Sequence, residues 1–195
     1  LIEFLKLLQN GQSYKRKNIA LTFDDGYKNF LTLAYPVLCL YGFTATVFLA
    51  TDFVGKQSDR KLEEGVPFLN WEQVKLLHNG GITFGSHTCS HPDLLNLSKT
   101  EVWHELVSSK QCIEGRLGEK VKFMAYPHGH TNLEIQQITE AAGYKVACGI
   151  GRGRRNRFNM WRTQCRTNDT LLTFAFKLTK WPYYIRHFRE ETAVG

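Results

Sequence analysis

Asn18-Ile19-Ala20-Leu21-Thr22-Phe23-Asp24-Asp25-Gly26 sets a short apolar run directly against two adjacent carboxylates and a glycine. The run reads as a buried strand and the polar triplet as the loop that leaves its C-terminal end. The same arrangement recurs downstream. Ile82-Thr83-Phe84-Gly85-Ser86 runs into His87-Thr88-Cys89-Ser90-His91, and Val121-Lys122-Phe123-Met124-Ala125 runs into Tyr126-Pro127-His128-Gly129. Open parallel sheets and β/α barrels both build their sites just past the C-terminal ends of strands. Three chemically loaded segments at three such ends predict a single site.

Helical stretches separate the strands. A helix is expected to begin near Tyr27, and Thr44–Leu49, rich in β-branched residues, reads as the next strand. Trp71–His78 has helical spacing and is stopped by Gly80-Gly81. Ser98–Leu117 opens on a capping box, Ser98 with Glu101. Asn132–Ala142 reads as a helix closing at Gly143, Tyr144–Cys148 as a strand and Leu171–Leu178 as a late helix. This alternation predicts an α/β protein of parallel β/α units, either an open sheet or a barrel. The 195 residues suffice for one well-buried domain, so 1–195 is read as a single domain with its core at about 19–178.

Composition narrows the partners. Hydrophobic content of 43% and aromatic content of 13% exclude a disordered chain. The formal charge of +7 favours an anionic setting, such as a phosphate-bearing glycan or an acidic membrane surface. No nucleic-acid-binding motif accompanies that charge, so no nucleic acid partner is expected. No apolar run of about 18 residues is present, so no transmembrane segment is expected either. There is no signal peptide, but the chain starts at Leu1 rather than Met, so it is expected to be a fragment lacking its N-terminus. The five cysteines are widely spaced without a C-x-x-C pair and read as small packed residues rather than a disulfide framework. Cys89 lies two residues from each histidine and would diverge from both, so packing is preferred to ligation. Arg152, Arg154, Arg155 and Arg157 are interleaved with glycines but lack the Lys-Ser/Thr of a phosphate loop. A solvated loop is the first reading of them, and contact with an anionic glycan or lipid head group the second. Trp71, Trp103, Trp161 and Trp181 invite sugar stacking, with core packing preferred for most.

His87 and His91, four residues apart, can serve one metal from a helical turn or a compact loop. Two histidines and one Asp make a three-ligand catalytic set that leaves a position for water. Adjacent side chains diverge in an extended segment, so one Asp can bind metal while its neighbour acts as base toward that water. Gly26 would let the chain bend beneath them. The competing readings are an ordinary Asp-Asp-Gly turn, one capping histidine and one surface histidine.

Thr22-Phe23-Asp24-Asp25-Gly26 with His87-Thr88-Cys89-Ser90-His91 resembles the two leading motifs of the polysaccharide deacetylase family. This family contains chitooligosaccharide, chitin and peptidoglycan deacetylases and some acetyl-xylan esterases. Tyr126-Pro127-His128-Gly129 is similar to its third motif, and Tyr144–Cys148 with Met160-Trp161-Arg162 to its C-terminal part. The resemblance implies a distorted (β/α) barrel with fewer than eight regular units. It implies a divalent metal, zinc first, on Asp25, His87 and His91, with Asp24 as base and Thr88 beside the metal pair. The backbone N–H of His128 would help to hold the oxyanion.

Two positions depart from the family pattern. Ala125 stands where the family usually has an Arg that pairs with the base, and Arg162 is the candidate to replace that charge. The family's late His, its general acid, has no clear counterpart, and His128 is the first substitute, followed by His130 and His187. The implied reaction removes N-acetyl groups from N-acetylated sugars in a polysaccharide or glycoconjugate. An O-acetyl esterase and a catalytically disabled carbohydrate-binding protein are the alternatives. The resemblance also implies a cell-envelope or extracytoplasmic setting.

Overall fold

The computed structural model describes Leu5 and residues 19–58, 65–150 and 156–179. Arg152, Arg154, Arg155, Trp181 and His187 lie outside the described residues. The chain divides into two compact units, Leu1–Trp161 and Arg162–Gly195.

Among the described residues, the first unit holds a sheet of six strands in sequence order, every neighbouring pair parallel. The strands are β1 (Thr22–Phe23), β2 (Thr46–Leu49), β3 (Thr83–Ser86), β4 (Phe123–Ala125), β5 (Val146–Gly149) and β6 (Met160–Trp161). Among the described residues of this unit, the α-helices are α1 (Tyr35–Leu40), α2 (Trp71–Asn79), α3 (Lys99–Leu117) and α4 (Leu133–Ala141). The sheet curls into part of a barrel, the distorted (β/α) barrel expected from the sequence. Among the described residues, no helix is long and apolar enough to cross a membrane.

The strands β2, β4 and β5 are buried on both faces, as parallel strands packed on both sides are. Val47, Leu49, Met124 and Ala147 join Val74, Leu77, Val102, Leu106, Ile113 and Ile135 of the helices in one cluster. The alternate positions Phe48, Phe123, Ala125, Val146 and Cys148 form a second cluster on the inner face. Gly85 belongs to that inner face. A Cβ there would stand 2.6 Å from the Phe48 ring and 2.8 Å from the Phe123 carbonyl oxygen. Gly85→Ala is therefore expected to destabilise the fold by about 1–3 kcal/mol, the usual cost of overpacking, measurable by denaturant unfolding.

Local signals set the helix starts. At α2 the Asn70 side chain accepts from the Gln73 N–H at 2.9 Å, and Gln73 Oε1 accepts from the Asn70 N–H at 3.0 Å. At α3, Ser98 and Glu101 form the reciprocal box read in the sequence, and Gly118 ends the helix at φ 73°. Asn132 caps α4 by accepting from the Ile135 N–H at 2.8 Å.

The helix expected near Tyr27 begins later, as a π-helical turn over Phe30–Ala34 that leads into α1. Tyr27 instead bridges to Phe68 and stacks on its ring at 4.6 Å. The Gly26 carbonyl also accepts from the Leu69 N–H at 2.9 Å, so the segment after β1 is tied to the one before α2.

In the second unit, α5 (Leu171–Lys177) starts at Thr170, whose hydroxyl accepts from the Thr173 N–H at 3.2 Å. Lys177 reaches Asp169 at 2.6 Å, and Asp169 accepts from the Arg166 N–H at 2.7 Å.

Candidate metal centre and its surroundings

Asp25, His87 and His91 come together beyond the C-terminal ends of β1 and β3, with one ligand atom from each within 4.8 Å of the others. Among the described residues this is the only such group of three or more His, Cys, Asp or Glu side chains. Asp25 Oδ1 lies 3.3 Å from His91 Nε2 and 3.8 Å from His87 Nε2. The two imidazole rings stand edge to face, with centroids 4.8 Å apart.

His87 follows Gly85 on the inner side of β3 and is 2% exposed. Its Nδ1 lies 2.7 Å from the Ala125 carbonyl oxygen. A carbonyl only accepts, so Nδ1 carries the proton and Nε2 keeps its lone pair toward Asp25 and His91. Such a partner on the far ring nitrogen is the usual support of a metal-binding histidine. One carboxylate and two imidazoles also make a donor set that suits zinc. The residues present therefore fit a divalent cation.

The backbone supplies the rest of the geometry. Asp25, Thr88, His91 and His128 are the non-glycine residues with positive φ among those described, at 69°, 69°, 58° and 57°. All four belong to the three strand-end loops. Strain of this kind, of order 1–3 kcal/mol per residue, collects where a site over-determines its loops. Asp25 and His128 are each followed by a glycine that is also left-handed, Gly26 at 81° and Gly129 at 68°. Gly26 is needed for space as well, since a Cβ there would come within 2.6 Å of Leu49 Cδ2. The histidine pair thus sits in a compact loop rather than on a helical turn. Thr88 closes that loop: its hydroxyl donates to the His87 carbonyl at 2.5 Å and accepts from the His91 N–H at 3.1 Å.

The loop after β4 brings His128 alongside, its ring 4.9 Å from that of His91 and 5.9 Å from that of His130. Tyr126 anchors this loop from inside, donating to the Phe158 carbonyl at 2.9 Å. Burial pushes the Tyr126 phenol up to about 12, so it stays a neutral donor. His130 Nδ1 pairs with Asp93 Oδ2 at 2.8 Å, and the His130 hydrogen bond holds the Asp93 carboxyl below its ordinary value. Asp93 was not singled out in the sequence. Its one signal is its position two residues after His91.

Asp24 immediately follows β1 and adjoins Asp25 in the chain. Ala125 is fully buried, and its carbonyl rather than its side chain serves the site. Arg162 opens the second unit. Arg157 pairs with Glu140 and lies over the Phe158 ring at 4.9 Å. Cys89 turns its sulfur toward the Glu105 carbonyl at 3.6 Å, and burial raises its thiol to about 11, so it packs as expected. Trp71 is partly buried under Arg116 at 5.3 Å, whereas Trp103 is 44% exposed and stands outside the core.

Residues 11–147 match a family profile described as polysaccharide deacetylase. YxkH of Bacillus subtilis, named as an inferred polysaccharide deacetylase, is 31% identical over 140 residues, covering 72% of this chain and 47% of that protein. A Staphylococcus aureus poly-beta-1,6-N-acetyl-D-glucosamine N-deacetylase is 27% identical over 160 residues, covering 76% of this chain and 52% of that protein. The chain thus spans about half the length of the curated relatives it matches. Among solved structures, the Streptococcus pyogenes deacetylase PplD in complex with acetate superposes with a TM-score of 0.79 and 25% identity, over 91% of this chain and 77% of that one.

Proposed function

The chain belongs to the polysaccharide deacetylase family, and from that premise we propose that it hydrolyses N-acetyl groups on an N-acetylated glycan, using a divalent metal, zinc first, on Asp25, His87 and His91. The observation that carries this reading is the convergence of Asp25 Oδ1 with the Nε2 atoms of both histidines. The N-deacetylase named in Staphylococcus aureus supports an amide as the bond broken.

A bound divalent cation supplies Lewis acidity, polarising the acetyl carbonyl and acidifying a water. The protein residues do the rest. Asp24, next to the ligand Asp25 but not in the ligand set, takes the proton of the attacking water. The His128 N–H, aimed by the left-handed turn after Pro127, donates to the developing oxyanion. An amine leaves poorly without a proton, and the His128 imidazole, beside His91, is the group assigned to deliver it. The products are acetate and an amino sugar.

An O-acetyl esterase would need less help from an acid, because an alkoxide leaves more readily than an amine. Acetate release from N-acetylated and O-acetylated oligosaccharides compares the two directly. Turnover confined to the N-acetylated panel is expected, whereas turnover confined to the esters would replace the amide reading.

A further inference from the structure

Glu105, on the inner side of α3, takes no part in the chemistry above, yet its carboxylate accepts three hydrogen bonds from the loop that joins His87 to His91. Oε2 accepts from the Cys89 N–H at 2.7 Å and from the Ser90 N–H at 3.0 Å, and Oε1 accepts from the Ser90 hydroxyl at 2.7 Å. The loop is held by a second element as well. The N–H groups of Thr51 and Asp52, in the turn after β2, donate to the carbonyls of Thr88 and Cys89 at 3.2 and 3.0 Å. One turn further along α3, Ser109 meets Ser86 hydroxyl to hydroxyl at 2.6 Å, and Ser86 in turn accepts from the Thr88 N–H at 3.1 Å.

We propose that Glu105 is a positioning residue that sets metal affinity by clamping the Cys89–Ser90 backbone, and so fixing His87 and His91 in their left-handed loop. The proposal rests on the metal-site reading given above. Thr88 and His91 both have positive φ, a conformation a free loop would relax. Hydrogen bonds to an ionised carboxylate are about twice as strong as neutral ones, which makes them suited to hold such a loop. Without the clamp, the two imidazoles would have to be ordered at the moment the metal binds, and the cost would appear in the affinity.

The test uses the whole chain as wild type, Glu105→Ala, Glu105→Gln and Ser90→Ala. Two quantities are read: the zinc dissociation constant by chelator competition, and amide hydrogen exchange at Cys89 and Ser90 in the metal-free protein. Glu105→Ala should raise the dissociation constant about 10- to 100-fold, the usual effect of losing a ligand's outer support. The two amides should exchange faster. Glu105→Gln should do less, because its amide oxygen still accepts both N–H groups and its NH2 can donate to the Ser90 oxygen. Saturating zinc should restore most of the turnover of Glu105→Ala, which a lost catalytic group would not allow. Ser90→Ala removes only one bond and should weaken zinc by a smaller factor, keeping the test open if Glu105→Ala fails to fold. An unchanged dissociation constant in the folded variants overturns the proposal, whatever the exchange rates. If the wild type binds no zinc, the metal reading has failed on its own, and unchanged exchange at Cys89 and Ser90 would then sink the clamp separately.

Discussion

Asp24→Asn is expected to release acetate from an N-acetylated oligosaccharide about 10²-fold or more slowly than the wild type, while binding the same amount of zinc. The size follows from the contribution of a positioned general base, typically 10²–10⁴-fold. Asn keeps the shape of Asp and can still accept a hydrogen bond, but it cannot take up a proton. The proposed ligand set contains Asp25, His87 and His91 and omits Asp24, so metal content should survive. Initial rates at saturating zinc, with metal analysis of the same preparation, check both halves. Loss of zinc in step with activity would mean that the roles of Asp24 and Asp25 are exchanged.

The second large effect is on metal content. Purified wild type is expected to hold about one zinc per chain, and His87→Ala and His91→Ala to lose most of it on dialysis, since a catalytic zinc with three protein ligands does not tolerate the loss of one. His87→Ala carries an added cost. It leaves the Ala125 carbonyl without the His87 donor in a buried place, at about 1–3 kcal/mol. His91 is only partly buried, so His91→Ala is the cleaner probe of ligation. Full metal content in both variants would remove the histidines from the site.

The sequence made some parts of this architecture legible and hid others for physical reasons. The runs ending at Phe23, Ser86 and Ala125 were readable because short, largely apolar runs that stop at polar or turn-forming residues mark strands. The α3 start was readable because a capping box is written in side chains, Ser98 and Glu101. The two-residue strand β6 was not, since Met160–Trp161 is too short to show a period. Nor was the π-helical turn at Phe30–Ala34, because apolar spacing there fits one helix type as well as another.

The site divides in the same way. Asp25, His87 and His91 announce their chemistry by residue type. The left-handed backbone that joins them is marked in sequence only where a glycine follows, at Gly26 and Gly129. At Thr88 and His91 nothing marks it. Glu105 was invisible because it acts on main-chain N–H groups, which carry no sequence, from a helix face where a glutamate reads as solvated.

Acetate release before and after metal removal tests the central claim most directly. The purified protein would be stripped with a chelator, freed of it, and assayed on an N-acetylated β-linked glucosamine oligosaccharide, with and without one equivalent of added zinc. The account predicts that stripping abolishes release, that zinc restores it, and that zinc restores almost none of it to His91→Ala. Undiminished release by the stripped protein would contradict it.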